Sequence, residues 1–409
     1  MPETKQPKGT ASPAIQYLAL VRERIAAIRQ DLPKLIAMGE RMAELLLDGG
    51  NIFPPPVGPV WVSEFSGRAG GLMGLKAPGY QPDSTKDVAY FDLPDARSWD
   101  PSKDKVLRAL MKGKAQLFVI GREEDLCALG SLDRFAGFTG GAAPDAGLYA
   151  FDPFRPFAPV RPFDKLVRGW LVAGEMIAAC IRGGRMPIIY MSVWLEGANV
   201  RNAYFIKHDN TDEPWSVPLF HEGRYIPPLE PGRVSNEFLS VAENILRTLE
   251  SQQTLLAKAG DWMAETKRAG KRIWTILVGH SYPMILELPG SPAYPLDWGA
   301  SNSNLSTAVP PRYGEGDVAL HLGYSPVNVA RVQRILDRGL RFIYSSPYGR
   351  PATLPDHERL LWLDLPWRPT DATVDVPGYS VRILPMSSTA HTMAYFAMLC
   401  EMAERMGWK

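Results

Sequence analysis

Apolar side chains recur every three or four residues along two long stretches of the chain. The first covers residues 15–48, and the same pattern returns from Ser235 to about Arg268, with charged residues between the apolar positions. This spacing is typical of amphipathic helices. Gly49-Gly50 and Gly270 should end the two helices, because glycine readily adopts the backbone conformation of a C-cap. Pro33 is expected either to kink the first helix or to split it.

Short apolar runs alternate with these and other helical stretches. They predict buried strands at 87–91, 117–120, 148–151, 187–190 and 273–278, and helices at 105–111, 165–181 and 389–405. Strands that alternate with helices favour βαβ units, and hence an α/β fold with a mainly parallel sheet.

The second half of the chain repeats landmarks of the first half in the same order. Asp87-Val88-Ala89 returns as Asp317-Val318-Ala319, and the segment from Val106 to Ile120 returns as Val332 to Tyr344. The offsets of roughly 220–230 residues indicate an internal repeat. We therefore predict two Rossmann-like, three-layer α/β/α domains packed face to face. The predicted organisation is a flexible tail at 1–14, a first domain at 15–208, a linker at 209–234 and a second domain at 235–409.

Composition and charge narrow the range of partners. Lys and Arg number 45 against 44 Asp and Glu, a net charge of +1, so no basic excess favours nucleic acid. The apolar stretches fall short of the roughly 20 residues that a membrane helix needs. Cys127, Cys180 and Cys400 lie far apart without a CxxC pair, which favours a reducing cytoplasm over disulfides or a cysteine metal site. The expectation is a cytoplasmic protein that binds neither nucleic acid nor membrane.

Three loops could hold a small ligand, because loops after parallel strands bind ligands at the carboxyl edge of the sheet. Gly279-His280-Ser281 follows the strand at 273–278 and offers donors to a phosphate or a sugar hydroxyl, or forms a plain tight turn with a capping serine. Ser325 and Asn328 precede a helix and are either phosphate donors or simple N-cap residues. Ser301 and Ser303 lie in a hydroxyl-rich run that is either a binding loop or a solvated one.

Other kinds of site lack support in the sequence. His208, His221 and His357 are scattered without HxxxH or HExxH spacing, so no metal is expected. No Gly-x-Gly-x-x-Gly follows a predicted strand, and no Gly-x-Ser-x-Gly occurs, so we expect no dinucleotide cofactor and no serine-hydrolase elbow.

Two stretches of the first half resemble the sugar isomerase (SIS) domain family. Residues 47–53 followed by Ser63-Glu64-Phe65-Ser66-Gly67-Arg68-Ala69-Gly70-Gly71-Leu72 are similar to the opening of bacterial single-domain SIS proteins. Gly174-Glu175-Met176-Ile177 and the run 197–202 are similar to the end of the same branch. In the second half the resemblance depends on Gly279-His280-Ser281, Asp317, Ser325 and Asn328, and it covers about 15–205 and 235–409.

The resemblance implies a phosphorylated sugar as ligand and aldose–ketose isomerisation as a candidate activity, without a metal or cofactor. Glu64 is similar to the glutamate that serves as base in phosphoheptose isomerases; otherwise it is a surface glutamate beside Arg68, at i and i+4. His391 falls near the helix histidines of those enzymes, or it only caps or packs. His280 is the first candidate among the histidines, and Glu175 is a weaker candidate than the other three residues. A homodimer is left open, because SIS domains commonly pair.

The first half departs from the family where phosphate would bind. Pro54-Pro55-Pro56 stands in place of the first phosphate loop and removes amide donors. After the next strand, Asp92 and Asp95 would repel a phosphate unless Arg97 dominates. We therefore expect a scaffold in the first half and the remaining site in the second. The competing hypothesis is a non-catalytic sensor or scaffold that acts through protein contacts.

Overall fold

A computed structural model of the chain describes residues 11–57, 59–77, 79–93, 100–121, 126–127, 135–139, 149–152, 155–207, 217–278, 296–301, 313–354 and 356–408. The α-helices in these ranges are α1 (Pro13–Leu47), α2 (Pro59–Phe65), α3 (Lys105–Lys112), α4 (Arg161–Arg182), α5 (Ala198–Lys207), α6 (Arg233–Ser251), α7 (Gln253–Arg268), α8 (Val329–Asp337) and α9 (Ser387–Met406). The strands are β1 (Ile52–Phe53), β2 (Val88–Asp92), β3 (Gln116–Ile120), β4 (Phe135–Phe138), β5 (Tyr149–Asp152), β6 (Arg155–Phe157), β7 (Ile273–Leu277), β8 (Leu296–Ser301), β9 (Val318–Leu322), β10 (Arg341–Ser346), β11 (Leu360–Asp364), β12 (Ala372–Val374) and β13 (Ile383–Pro385).

Most of the strands form two parallel sheets. The first has the order β1-β2-β3-β4 and the second the order β11-β10-β9-β7-β8, with every neighbouring pair parallel. Strands β2, β7 and β9 are buried along their whole length, as expected where helices cover both faces of a sheet. The predicted α/β fold with mainly parallel sheets is confirmed. Moreover, β1, β2, β3 and β4 stand in the same order as β7, β9, β10 and β11, which agrees with an internal repeat.

One apolar core joins the two sheets. Helices α1, α4, α6, α7 and α9 pack between them, and their buried side chains form a single cluster with residues of β2, β9 and β10. Two smaller cores lie on the outer faces, where α3 covers the first sheet and α8 the second. At the centre of the helical layer, the N–H of Ala14 on α1 donates to Oε1 of Glu401 on α9, at 3.0 Å. The halves of the chain therefore share their main core.

Local sequence explains where α1 begins and ends. Ser12 caps α1, and Pro13 takes the first helical position, where its missing N–H removes no hydrogen bond. The helix continues through Pro33 without a break, so the split considered from the sequence does not occur. Gly49, with φ of +91°, follows its C-cap, as glycine at this position predicted.

The second long amphipathic stretch is two helices rather than one, which corrects the sequence prediction. Helix α6 ends at Ser251 and α7 begins at Gln253. The reason is a tertiary contact, because the Gln252 side chain pairs with the backbone of Asp364 at the end of β11. Its Nε2 donates to the Asp364 carbonyl at 2.8 Å, and its Oε1 accepts the Asp364 N–H at 2.9 Å.

Two predicted strands do not join the parallel sheets. Residues 187–190 make only isolated bridges, Pro187 with Phe220 and Ile189 with Leu72. Strand β5, predicted at 148–151, pairs antiparallel with β6 in a two-stranded ribbon. Ile188 and Ile189 of the first run are buried, and an apolar run of this length does not reveal its pairing partner.

Two of the observed elements do not follow the predicted domain boundaries. Helix α1 begins at Pro13, inside the predicted tail. The described part of the predicted linker, residues 217–234, contacts the first half, where the Ile188 N–H donates to the Leu219 carbonyl at 2.9 Å. The division into two domains stays a prediction.

Candidate functional site

The direction of the chain across the second sheet reverses between β7 and β9. From β7 the chain proceeds to β8 on one side, then returns to β9 on the other and continues to β10 and β11. In open parallel sheets, ligands bind outside the carboxyl ends of the strands at such a point. The strand ends are in register here, with Leu277 opposite Leu322 and Ser301. The Val278 N–H also donates to the Leu322 carbonyl at 2.9 Å.

The first predicted ligand loop begins at this edge. Gly279, His280, Ser281 and Ser303 lie outside the described residues, and Ser301 is the last residue of β8. Val278, the last described residue before this loop, is hydrogen-bonded to Leu322 at the end of β9.

The loop after β9 lies close to the end of β7. A side chain at Gly323 would place its Cβ 2.6 Å from Cε1 of His321 and 2.9 Å from Cβ of Val278, so glycine permits the close approach of the two strand ends. Ser325 follows, half-buried. Asn328 is exposed, and its side chain caps α8 by accepting the Arg331 N–H at 3.0 Å. The N-cap alternative for Asn328 is confirmed.

Glu64 lies in a closed polar cluster between the two halves. The residue is fully buried, which corrects the surface position considered from the sequence, whereas the expected ion pair with Arg68 is present. Trp170 Nε1 donates to its Oε1 and Ser388 Oγ to its Oε2, each at 3.0 Å. Burial raises the pKa of Glu64 to about 7, although the Arg68 charge and the two hydrogen bonds lower it. Glu64 is therefore a carboxyl that titrates near neutral pH.

Arg68 links Glu64 to the second half of the chain. Its guanidinium donates to Asp371 Oδ2 at 3.2 Å, to Ser387 Oγ at 2.6 Å and to Ser388 Oγ at 2.7 Å. Asp371, at a φ of +81°, also accepts the Ser387 N–H at 2.8 Å and so caps α9. This polar cluster consists of Glu64, Arg68, Asp371, Ser387 and Ser388, and it joins α2 of the first half to the start of α9.

His391 lies one turn further along α9, between the polar cluster and the β9 end. It is fully buried, and neither ring nitrogen makes a hydrogen bond of normal geometry to the described residues. Burial lowers its pKa to about 3, with help from His321 and Arg68 and opposed by the Gly323 backbone. A neutral imidazole offers one donor and one acceptor but is a weak base at this pKa. The ring can therefore hydrogen-bond a ligand more readily than it can take a proton from one.

Trp367 and His321 lie close to His391, and Tyr324 lies close to the polar cluster; the Trp367 ring is 5.5 Å from the His391 ring, centroid to centroid. The His321 ring stacks on Tyr344 with centroids 4.0 Å apart, and its Nδ1 lies 3.3 Å from the Ser345 carbonyl oxygen. Burial lowers the pKa of His321 to about 3. Burial and the Asp371 charge raise the pKa of Tyr324, which stays a neutral phenol. The groups around His391 are therefore neutral, apart from the charges of the polar cluster.

The corresponding edge of the first sheet is occupied by the protein's own charges. Asp92, at the end of β2, accepts the Trp61 N–H of α2 at 3.2 Å. Lys165, the fifth residue of α4 as His391 is of α9, lies 3.5 Å from Asp92 Oδ2 and donates to the Leu93 carbonyl at 2.7 Å. The Asp92 carboxylate thus accepts a backbone N–H and lies beside the Lys165 ammonium group. These donors are already used within the protein, so few remain for an external phosphate.

Glu175 binds the backbone at the start of α6. Its carboxylate accepts the Gly232 N–H at 2.9 Å, the Ser235 N–H at 3.1 Å and the Ser235 hydroxyl at 2.6 Å. These are the donors at the start of α6, where the helix dipole favours a negative charge. Glu175 therefore caps α6 from the neighbouring helix α4.

Sequence reasoning missed most partners in the polar cluster. Asp371 lies in a stretch without periodicity and is 303 residues from Arg68, so no local pattern links them. Ser387-Ser388-Thr389 did carry a signal, because three hydroxyl residues at the start of a predicted helix are typical of an N-terminus. Among the described residues, no three His, Cys, Asp or Glu side chains are placed to hold a metal ion.

No protein-family model matches the sequence, and no curated protein matches it either. Among solved structures, the C-terminal domain of glucosamine-fructose-6-phosphate aminotransferase from Francisella tularensis matches with a TM-score of 0.51 at 9% identity, over 99% of each chain. The chain has this SIS-type fold. At this identity the likeness extends to the fold and no further.

Two other solved structures are more distant. A protein described as a phosphosugar isomerase from Bacillus subtilis has a TM-score of 0.41 at 9% identity, over 92% of this chain and 96% of its own. Another from Salmonella typhimurium has a TM-score of 0.37 at 11% identity, over 99% and 96%.

No helix in the described part of this chain is long and apolar enough to cross a membrane.

Proposed function

We propose that the crevice between the loops after β7 and β9 binds a phosphorylated sugar. One observation carries this proposal: the two loops with phosphate-binding residue types leave neighbouring strands at the switch point of the sheet. Glycine and serine in such loops supply backbone and hydroxyl donors to an anion. The fold is shared with a domain of an enzyme named for fructose 6-phosphate.

The protein binds the sugar through the second half only. Asp92 and Lys165 already satisfy each other at the equivalent edge of the first sheet. In the second half, His391 is instead a neutral ring that makes no hydrogen bond of normal geometry to the described residues, although the Gly323 backbone lies near it. A sugar hydroxyl at the crevice would supply the partner that this buried ring lacks.

Binding without isomerisation is the activity that the polar cluster favours. Both oxygens of Glu64 are engaged by Arg68, Trp170 and Ser388, and the residue is fully buried. A carboxylate held in this way stabilises the contact between the halves. Aldose–ketose isomerisation is the second candidate, because a pKa near 7 suits a base that works at neutral pH. A homodimer and a cytoplasmic location stay predictions.

A thermal-shift screen against a panel of sugar phosphates tests the proposal. A ligand at a hundred times its dissociation constant stabilises a protein by about 2.7 kcal/mol, which is readily measured. We expect a shift with at least one compound that His280→Ala and Ser281→Ala each abolish. Ser240→Ala is the matched control, since Ser240 is an exposed residue of α6 whose hydroxyl bonds only the Asn236 carbonyl among the described contacts. No shift with any sugar phosphate, or equal loss in the control, would contradict the proposal.

Exchange of the sugar C2 proton with deuterated water then separates the two candidates. Binding alone predicts no exchange above the rate without protein. Exchange that Glu64→Gln abolishes, while binding is retained, would instead establish the isomerase and place the base at Glu64.

A further inference from the structure

A cavity lies between the end of α1, the residues after α4 and the described part of the predicted linker. Its volume is about 650 Å³, within the roughly 300–1,000 Å³ of small-molecule sites. We call it the arginine pocket. It is lined by Leu46, Gly49, Gly50, Gly184, Arg185, Pro218, Leu219, Phe220, His221, Glu222, Gly223, Arg224 and Tyr225.

Aromatic rings hold the arginines of this pocket in place. The Arg185 guanidinium lies 4.0 Å from the centroid of the Phe220 ring, and that of Arg224 lies 4.8 Å from the Tyr379 ring. A guanidinium that stacks on a ring can still bind a carboxylate or phosphate with two hydrogen bonds along its N–H edge. Arg224 Nη2 also makes a long hydrogen bond, of 3.5 Å, to the Gly378 carbonyl. Fixing the side chain beforehand also reduces the entropy lost on binding. Both residues are exposed.

Two arginines of the arginine pocket, and Arg201 beside it on the Tyr379 hydroxyl, lack counterions within the described chain. Arg185, Arg201 and Arg224 form no ion pair with any described carboxylate, and Glu222 is the acidic residue of the lining. Other arginines, such as Arg182 with Glu40 at 2.7 Å, are paired. An excess of unpaired positive charge in a concave site attracts anions.

His221 reports this positive field. Its Nε2 lies 2.9 Å from the Tyr379 hydroxyl, which also accepts from Arg201 Nη2 at 2.8 Å. Burial, together with the charges of Arg224 and Arg201, lowers the pKa of His221 to about 4. An anion bound beside these arginines would offset their charge and raise this pKa.

We propose that the arginine pocket binds a small organic anion with at least two phosphate or carboxylate groups, one for each of Arg185 and Arg224. This site is separate from the crevice at β7 and β9. Its ligand is recognised by charge and by planar bidentate contacts, and the volume suits a metabolite rather than a polymer.

Titration with inorganic pyrophosphate and with citrate, at constant ionic strength, tests the proposal. We expect calorimetric binding of at least one probe, weakened tenfold or more in Arg185→Gln/Arg224→Gln. In the wild-type protein, saturation should raise the NMR-detected pKa of His221 by about one unit or more. Arg22→Gln is the control, because it removes an exposed cation elsewhere, on α1.

Three results would overturn the proposal. The first is the absence of binding by either probe, and the second is equal weakening by Arg22→Gln, which would indicate general charge attraction. The third is loss of binding in His280→Ala/Ser281→Ala, since the anion would then occupy the crevice. Retained binding in that last variant keeps this test independent of the phosphosugar proposal.

Discussion

Replacing Glu64 by glutamine should change how the stability of the protein depends on pH. The pKa of Glu64 is raised from 4.5 to about 7 by burial. A carboxyl whose pKa is raised on folding stabilises the protein fully below the unfolded value and loses this contribution as pH rises through the folded value. The shift corresponds to roughly 3 kcal/mol at 1.36 kcal/mol per pKa unit. As pH rises from 5 to 8, the unfolding free energy of the wild-type protein should therefore fall by most of this amount relative to that of Glu64→Gln.

Urea unfolding of both proteins at several pH values in this range measures the difference directly. Glutamine keeps the shape of the side chain and an acceptor for Arg68 or Trp170, while its amide can donate to Ser388. Glu44→Gln is the control, because Glu44 is an exposed carboxylate, 64% accessible, that pairs with Arg41. This control should follow the wild type at every pH. The assignment would be refuted if the difference in unfolding free energy between the wild type and Glu64→Gln did not change with pH. It would also be refuted if the wild type gained stability relative to the variant as pH rises.

Substitutions at four further positions, two of them with a control variant, test the packing and the polar contacts. Arg68→Met should cost about 3–5 kcal/mol in urea unfolding, because it leaves two buried carboxylates without their cation; a cost below about 1 kcal/mol would contradict this role. Gly39→Ala should cost about 1–3 kcal/mol, since its Cβ would lie 2.7 Å from a backbone nitrogen of α4, whereas Gly349→Ala, with open space around it, should be neutral. Glu175→Gln should cost about 1–3 kcal/mol, because an amide nitrogen would face the donors at the start of α6, and an unchanged urea midpoint would argue against the cap. Asn328→Ala should cost about 1 kcal/mol and Asn328→Asp almost nothing if the residue only caps α8; weaker sugar-phosphate binding by the aspartate variant would instead place the side chain at the ligand.

The sequence predicted the elements whose pattern is local. The two amphipathic stretches, the buried runs of the parallel sheets and the repeated landmarks all correspond to observed helices and strands. Parallel strands are buried on both faces, so they appear as continuous apolar runs that need no knowledge of their neighbours.

Contacts between distant parts of the chain could not be predicted in this way. The break at Gln252 depends on its pairing with Asp364, 112 residues away, and the residues around it continue a helical pattern. Glu64 could be found through its resemblance to a known base and through its spacing from Arg68. The burial of Glu64 could not be predicted, because this burial depends on Trp170 and on Ser388, which is 324 residues away.

The central claim is tested most directly by a crystal structure with a bound ligand. Crystals of the protein would be soaked with the sugar phosphate that gives the largest thermal shift. The account predicts the phosphate between the loop that begins at Gly279 and the loop at 323–328, with a sugar hydroxyl at a ring nitrogen of His391. A phosphate bound instead beside Asp92 and Lys165 of the first sheet, or only in the arginine pocket, would contradict the assignment of the sugar site to the second half.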